Sequence, residues 1–250
     1  MYALFVRGFR YPFRGLRLLL HPEWRTLVWL PILINATLFG FGLYWAGSGA
    51  YAQLRQWLSA LPDWLAWLSW LIVPLLALSA ILILFYGFTI VANIIASPFN
   101  GFLAERVEDW ATHHQTQRPE LPWWRDALYA PLGELRKLGY FTIRAIPLFL
   151  LLLIPGLNIL FPLLWGAFGA WMLALQYLDY PLANHGILFP AQRCIARQHT
   201  ASVFGFGCGV LLMTIIPGLN FLSMPSAVIG ASLLSAQEQL PHLTLHARPT

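Results

Sequence analysis

Charged residues are scarce in this sequence. Asp, Glu, Lys and Arg together make up 10% of its 250 residues, whereas apolar residues make up 58%. Soluble globular proteins contain about 25% charged residues, so this composition excludes an ordinary soluble domain and indicates a membrane protein. Between Asp63 and Glu105 the sequence has no charged residue at all, a gap longer than the ~20 residues that one bilayer crossing requires.

Several motifs of enzymes and binding proteins are also absent. There is no His-Glu-x-x-His zinc motif, no Gly-x-Ser-x-Gly nucleophile elbow and no Walker phosphate loop, so we expect no metal, no cofactor and no catalytic residue. The net charge is +5, but no Lys- or Arg-rich run occurs, and nucleic acid is therefore not an expected partner. Cys194 and Cys208 are the only cysteines, and Cys194 lies near arginines on the side predicted below to be reducing, so we expect no structural disulfide.

Arginines recur along the N-terminal segment. Arg7, Arg10, Arg14 and Arg17 are spaced by 3, 4 and 3 residues, and phenylalanines and leucines repeat between them with a similar period. This pattern predicts an amphipathic helix over residues 3–20, with arginines on one side and apolar side chains on the other. Such a helix lies in the headgroup layer, its apolar face toward the acyl chains and its guanidinium groups toward phosphates and water.

Two uncharged stretches are long enough to cross the bilayer, at 27–46 and at 75–97. Tryptophans at 64, 67 and 70 precede the second crossing and are typical of an aromatic belt at the membrane interface. The second crossing is predicted to end near Pro98, and the mixed, charged segment 100–142 is predicted to form a layer of helices at the cytoplasmic surface.

Orientation follows from the basic residues in short loops. The N-terminal helix, the 100–142 layer and the 186–200 segment contain nearly all of the Lys and Arg residues, whereas the 47–63 loop contains only Arg55. The positive-inside rule therefore predicts that both termini face the cytoplasm and that 47–63 lies outside.

A pentapeptide occurs twice in the C-terminal half. Ile-Pro-Gly-Leu-Asn begins at Ile154 and again at Ile216, which predicts two similar helical hairpins at 145–178 and 203–236. Pro-Gly breaks a helix and frees backbone groups that lipid cannot satisfy, so each tip must pack on protein or line a wet cavity. The first arm has only about ten residues, ~15 Å, and we expect re-entrant hairpins, although longer arms such as 159–178 leave full crossings open. The predicted fold is thus an all-α integral membrane protein with two long transmembrane helices, two broken hairpins and an interfacial helix.

Candidate sites for a tetrahedral anion follow from these features. Such an anion needs several converging N–H or guanidinium donors, which the two Pro-Gly turns and the step formed by Gly15, Leu16 and Arg17 are able to supply. The simpler alternatives are that the turns only end helices and that the arginines only reach toward lipid phosphate. Asp179, near the end of a long apolar stretch, is expected to cap the next turn or to hold an arginine in place.

Two longer runs resemble a known family. They are Ala-Ser-Pro-Phe-Asn-Gly from Ala96, followed by Leu-Ala-Glu from Leu103, and Ala-Trp-Met-Leu-Ala from Ala170, continuing into Gln176–Pro181 and Asn184-His185. From Gly8 to about Gly230 the chain resembles the CysZ family of bacterial sulfate permeases. The resemblance implies ATP-independent uptake of sulfate across the inner membrane for cysteine biosynthesis, by a homo-oligomer surrounded by membrane lipids.

The resemblance also implies a sulfate site. The family binds sulfate at a Gly-Leu-Arg step, which matches Gly15, Leu16 and Arg17 here. In some members a second arginine follows directly, whereas this chain has Leu18, so Arg14 or Arg25 is expected to substitute. Facing the cytoplasm, such a site would serve exit or regulation rather than entry. The competing interpretations are a membrane-embedded enzyme that handles lipid phosphate and a scaffold or regulator of another anion transporter.

Overall fold

The computed structural model describes residues 1–45, 56, 69–113 and 123–240. Within these ranges the chain is helical and contains no strand. The predicted outer loop 47–63, apart from Gln56, and two of the three belt tryptophans, Trp64 and Trp67, lie outside the described residues.

The helices follow one another in this order: α1 (Tyr2–Leu18), α2 (Arg25–Trp45), α3 (Ser69–Thr112), α4 (Trp123–Leu150), α5 (Phe161–Asn184), α6 (Phe189–Gln198), α7 (Thr200–Ile215) and α8 (Leu219–Gln237). Arg25–Tyr44, Leu157–Asn184 and Leu219–Gln237 are each long and apolar enough to cross a bilayer, with mean hydropathies of 1.7, 1.6 and 1.4. Helices α6 and α7 pass the same test together but are bent by 105° relative to each other. These features confirm the predicted class, an all-α membrane protein.

Helix α3 differs from the prediction at its C-terminal end. It has 44 residues and includes Pro98, so the helix continues beyond the end of the predicted crossing, 75–97. The helix continues to Thr112, and the first part of the predicted 100–142 layer therefore belongs to the same helix. Proline removes one backbone donor without necessarily ending a helix, and helices of membrane proteins tolerate it where other groups compensate.

The repeated pentapeptide lies at two similar helix breaks. Gly156, between α4 and α5, has a φ of 88°, and Gly218, between α7 and α8, has a φ of 86°. Glycine is favoured in this left-handed conformation because a Cβ would be strained. In each turn the asparagine N–H donates to the isoleucine C=O four residues earlier, from Asn158 at 3.3 Å and from Asn220 at 3.2 Å. Those two N–H groups are therefore already used within the turns.

The chain divides into two compact units, Thr26–Phe99 and Met1–Arg25 together with Asn100–Thr250. In the first unit, Phe39 packs against Phe88 with ring centroids 4.8 Å apart. In the second, α1 lies against α7 and α8, the arms of the second hairpin. Residues 225–235 of α8 are all buried, so this helix forms the centre of the second unit.

Glycines allow α1 to approach the hairpin closely. A side chain at Gly8 would collide with the backbone of Ser202 on α7, and one at Gly15 would collide with the carbonyl oxygen of Ser226 on α8. Conversely, Gly205 of α7 lies against the backbone of Phe5 on α1. Helix–helix contacts in membranes favour small residues because these let the backbones approach closely. The buried residues of α1 are Gly8, Tyr11, Pro12 and Gly15, whereas those of the predicted apolar face are only partly buried or exposed, namely Phe5, Phe9, Phe13, Leu16 and Leu20.

Candidate anion-binding site

The last turns of α1 form one wall of a cavity of about 300 Å³. The cavity is lined by Arg14, Arg17 and Leu18 of α1, Trp110 of α3, and Leu233 and Gln237 of α8. Both arginines are exposed, so their guanidinium groups are accessible to a ligand from solvent. The spacing of three residues places Arg14 and Arg17 on the same side of the helix, which explains why they meet in one cavity.

The positive charge in this cavity is not neutralised by a neighbouring acid. Among the described residues, neither Arg14 nor Arg17 has a carboxylate within 4.0 Å. Arg14 instead lies over the ring of Tyr11, with its guanidinium carbon 5.5 Å from the ring centroid. Two accessible guanidinium groups without an acidic partner favour an anionic ligand, because charge-assisted bonds to an oxyanion are among the strongest hydrogen bonds.

Tyr11, which is buried, positions the side chain of Gln237 on α8. Tyr11 accepts a hydrogen bond from Arg7 Nε at 3.2 Å and donates from its hydroxyl to Gln237 Oε1 at 2.9 Å. Burial raises the pKa of Tyr11, so its hydroxyl keeps the proton that it donates. Because the carbonyl oxygen of Gln237 is used in this way, its amide nitrogen remains available as a donor, and Gln237 is one of the residues that line the cavity.

An aromatic cluster fixes the turn that follows α1. Trp24 is fully buried and donates from its indole nitrogen to the carbonyl oxygen of Leu18 at 3.0 Å. Its ring stacks on His21 at 4.3 Å and meets Trp110 edge-on at 5.7 Å. These contacts hold the C-terminal end of α1 beside the cavity wall formed by Trp110.

The structure brings together only part of the donor set expected from sequence. Arg14 and Arg17 share the cavity, whereas Arg25 is exposed at the start of α2 and is not among the lining residues. Gly15 and Leu16 lie inside α1, close to its C-terminal end, so their N–H groups belong to the helix rather than to a free helix N-terminus. The close approach that Gly15 permits in this structure is to Ser226 of α8.

Gln237 and Trp110 were not predicted to take part. They are separated from Arg17 by 220 and 93 positions in the chain, and nothing in their local sequence distinguishes them. Only the packing of α1 against α8, together with the Trp24–Trp110 contact, brings them to the arginines. A prediction of the helix contacts would have been needed to find them.

A second polar cluster joins α4, α5 and α6. Lys137 Nζ lies 2.6 Å from the Asp179 carboxylate and 2.7 Å from that of Glu134. Burial acts to lower the pKa of Lys137, but Asp179 and then Glu134 raise it more, so the pKa lies above its ordinary value and the ammonium group stays charged. The other oxygen of Asp179 accepts from Gln192 at 2.7 Å. Asp179 therefore has a structural role, as expected, but it holds a lysine rather than an arginine.

Comparisons with known proteins agree with these features. The sequence profile of the family described as "Sulfate transporter CysZ/Etoposide-induced protein 2.4" matches residues 11–225. A protein of Pseudomonas fluorescens named "Sulfate transporter CysZ" is 40% identical over 242 residues, which cover 96% of each chain. Proteins with the same name from Pectobacterium atrosepticum and Vibrio cholerae are both 42% identical, covering 91% and 92% of this chain and 83% and 93% of theirs. The match over most of the chain shows that this protein belongs to the family of the sulfate transporter CysZ.

Proposed function

We propose that this protein is a sulfate permease that takes up sulfate without ATP. The observation that supports this most directly is the pair of accessible guanidinium groups, Arg14 and Arg17, in one cavity without a neighbouring carboxylate in the described part of the chain. The apolar helices long enough to cross a bilayer and the names of the relatives agree with it. Since the sequence has no Walker loop, the flux is driven by a gradient or by another subunit rather than by nucleotide hydrolysis in this chain.

In this proposal sulfate is bound by side chains rather than by backbone amides. Arg14 and Arg17 provide the charge, and the amide nitrogen of Gln237, on α8, provides a third donor. Gly15 contributes by allowing α1 to pack against α8, which sets the distance between the arginines and Gln237. Arg25, outside the cavity, is assigned to attraction of the anion at longer range.

The proposed location is the inner membrane, with both termini in the cytoplasm. The arginines of α1 and of the 186–200 segment support this orientation. The cavity then lies on the cytoplasmic side, where it serves release or regulation of an incoming anion. We further propose re-entrant hairpins and a homo-oligomer in contact with membrane lipids, because many apolar side chains near both Pro-Gly turns are exposed, among them Leu153, Ile159 and Phe221.

Binding of radiolabelled sulfate to purified protein tests the site. We expect Arg17→Ala and Arg14→Ala each to weaken binding about tenfold or more, because each removes a charge-assisted interaction. Arg10→Ala is the matched control, since Arg10 is an exposed arginine of the same helix that does not line the cavity. Equal affinities for the Arg10 and Arg17 variants would place the site elsewhere.

Uptake into proteoliposomes tests the function itself. Vesicles that contain only this protein should accumulate labelled sulfate down its gradient, and Arg17→Ala should reduce the rate while Arg10→Ala does not. A lipid-phosphate enzyme or a scaffold for another transporter predicts no uptake by the protein alone. Impermeable vesicles that contain correctly folded protein would therefore reject the proposal.

A further inference from the structure

Two arginines from different helices share one aromatic ring. The guanidinium carbon of Arg144, on α4, lies 3.8 Å from the centroid of the Tyr140 ring, and that of Arg193, on α6, lies 4.9 Å from it. Arg193 also lies over Phe189, at 5.5 Å. Stacking on aromatic faces stabilises each cation, but it does not neutralise its charge. Arg144 and Arg193 are called the arginine pair below.

The arginine pair has no acidic partner where the chain is described. The carboxylates nearest in sequence are already used: Glu134 pairs with Lys137, and Asp179 binds Lys137 and Gln192. The Nε–H of Arg193 is buried and has no hydrogen-bond acceptor among these residues. An unsatisfied buried donor on a charged group is costly, and two like charges beside one ring repel each other. A ligand that accepts hydrogen bonds and carries negative charge removes both penalties.

The ring between the arginines is held in place. Tyr140 accepts a hydrogen bond at its hydroxyl from the indole nitrogen of Trp171 at 3.2 Å and meets Phe189 edge-on, with centroids 5.7 Å apart. The ring itself is buried. Because Tyr140 is fixed, the two guanidinium groups that stack on it have a defined position relative to each other, as a binding site requires.

Along α4, the arginine pair lies where the helix changes from charged to apolar. Glu134, Arg136 and Lys137 precede Tyr140, whereas the residues after Arg144 include exposed apolar side chains such as Ile146, Phe149 and Leu150. In a membrane this change marks the headgroup layer, where lipid phosphates and dissolved anions are both present. A guanidinium group binds the oxygens of either through the same paired hydrogen bonds.

We infer that Arg144 and Arg193 form a second oxyanion site, which binds a tetrahedral group such as a lipid headgroup phosphate or free sulfate. This site shares no residue with the cavity of Arg14 and Arg17, and the inference does not depend on the proposed transport function. The ligand neutralises the charge of the arginine pair and accepts a hydrogen bond from the buried Nε–H of Arg193. The site also connects α4 of the first hairpin with α6, the short helix before the second.

The test compares four glutamine variants of the full-length protein in detergent. Arg144→Gln and Arg193→Gln remove one charge of the pair, and Arg136→Gln and Arg197→Gln are matched controls at exposed arginines of the same two helices. One arm measures retention of phosphatidylglycerol relative to phosphatidylcholine by native mass spectrometry. The other arm measures sulfate binding in the Arg17→Ala background, in which the first cavity is impaired.

We expect the affinity of Arg144→Gln and of Arg193→Gln for one of the two ligands to fall about tenfold, since one charge-assisted contact is removed. The control variants should bind both ligands as the parent protein does. Loss of phosphatidylglycerol identifies a headgroup phosphate, and loss of sulfate identifies a free anion. Unchanged binding of both ligands by the pair variants, or equal losses in the controls, would overturn the inference. Arg193→Lys distinguishes misfolding from loss of the site, because lysine retains the positive charge. A folded Arg193→Lys variant with intermediate ligand affinity supports the inference. A folded variant with the affinity of the parent protein contradicts the role of the Arg193 Nε–H.

Discussion

Replacing Gly15 by alanine tests whether this glycine serves packing. The new Cβ would collide with the carbonyl oxygen of Ser226 and would lie 3.0 Å from the backbone nitrogen of Gly230. Both obstacles are backbone atoms of α8, so no side-chain rotation relieves the contact, and α1 must move away by on the order of 1 Å. Overpacking of this kind costs about 1–3 kcal/mol, and the better helix propensity of alanine offsets up to about 1 kcal/mol.

Because both obstacles are backbone atoms, the upper part of that range, about 2–3 kcal/mol, applies, and the net loss of about 1–2 kcal/mol is measurable as a change in apparent Tm. For a chain of this size it corresponds to a decrease of about 2–8 °C. Gly139→Ala is the matched control, because Gly139 is also within a helix and nothing lies within 4 Å of its added Cβ. Thermal unfolding of the purified proteins, followed by size-exclusion chromatography after heating, should rank Gly15→Ala below wild type and Gly139→Ala equal to it or above. Equal stability of the two variants would refute the packing role and would restore Gly15 as a point of ligand approach.

Two further substitutions test other parts of the fold. Lys137→Met leaves the Asp179 carboxylate without its cation and should cost about 3 kcal/mol, whereas Glu134→Gln, at a side chain that is 65% exposed, should cost about 0–1 kcal/mol. Because the pKa of Lys137 is raised, its ammonium group is fully charged below the ordinary lysine pKa and loses its proton only as the pH rises through the raised value. The Tm difference between wild type and Lys137→Met should therefore be constant from about pH 6 to 9. Gly218→Ala places a Cβ at a φ of 86° and should lower stability by about 1–2 kcal/mol, and Gly156→Ala, at nearly the same φ, should do so equally.

These substitutions have distinct contradicting results, all read from the same thermal unfolding assay. An equal effect of Lys137→Met and Glu134→Gln would show that the buried pair contributes no more than a surface contact. A Tm difference that disappears between about pH 6 and 9 would show that Lys137 loses its proton in that range. A neutral Gly218→Ala would mean that the left-handed turn is not required in the second hairpin.

Composition and periodicity were sufficient to predict the membrane class and the position of several helices. The apolar stretch at 27–46 lies within α2 apart from its last residue, and the arginine period at 3–20 corresponds to α1. Both patterns are local, so they depend on few assumptions. The two Pro-Gly turns are local in the same way, since proline and glycine interrupt a helix through their own backbone properties.

What the sequence did not reveal depends on contacts between distant segments. Pro98 was expected to lie at the end of a crossing, and the structure shows that the helix continues past it, since one missing donor does not decide where a helix ends. Gly15 was assigned to a ligand because its partner, Ser226, is 211 positions away. Gln237 was not considered at all. In each case a local property allows several outcomes, and tertiary packing selects one of them.

The backbone contacts between α1 and the second hairpin have a mechanical consequence. Long side chains between two helices can adjust their rotamers and absorb a small displacement, but glycines pressed against carbonyl groups cannot. Helix α1 should therefore move with α7 and α8 as one rigid body, and the guanidinium groups of Arg14 and Arg17 should move with it. Trp110 lines the same cavity but is not part of this group of helices, so a displacement of α1 and the hairpin relative to Trp110 would change the width of the cavity and its affinity for an anion.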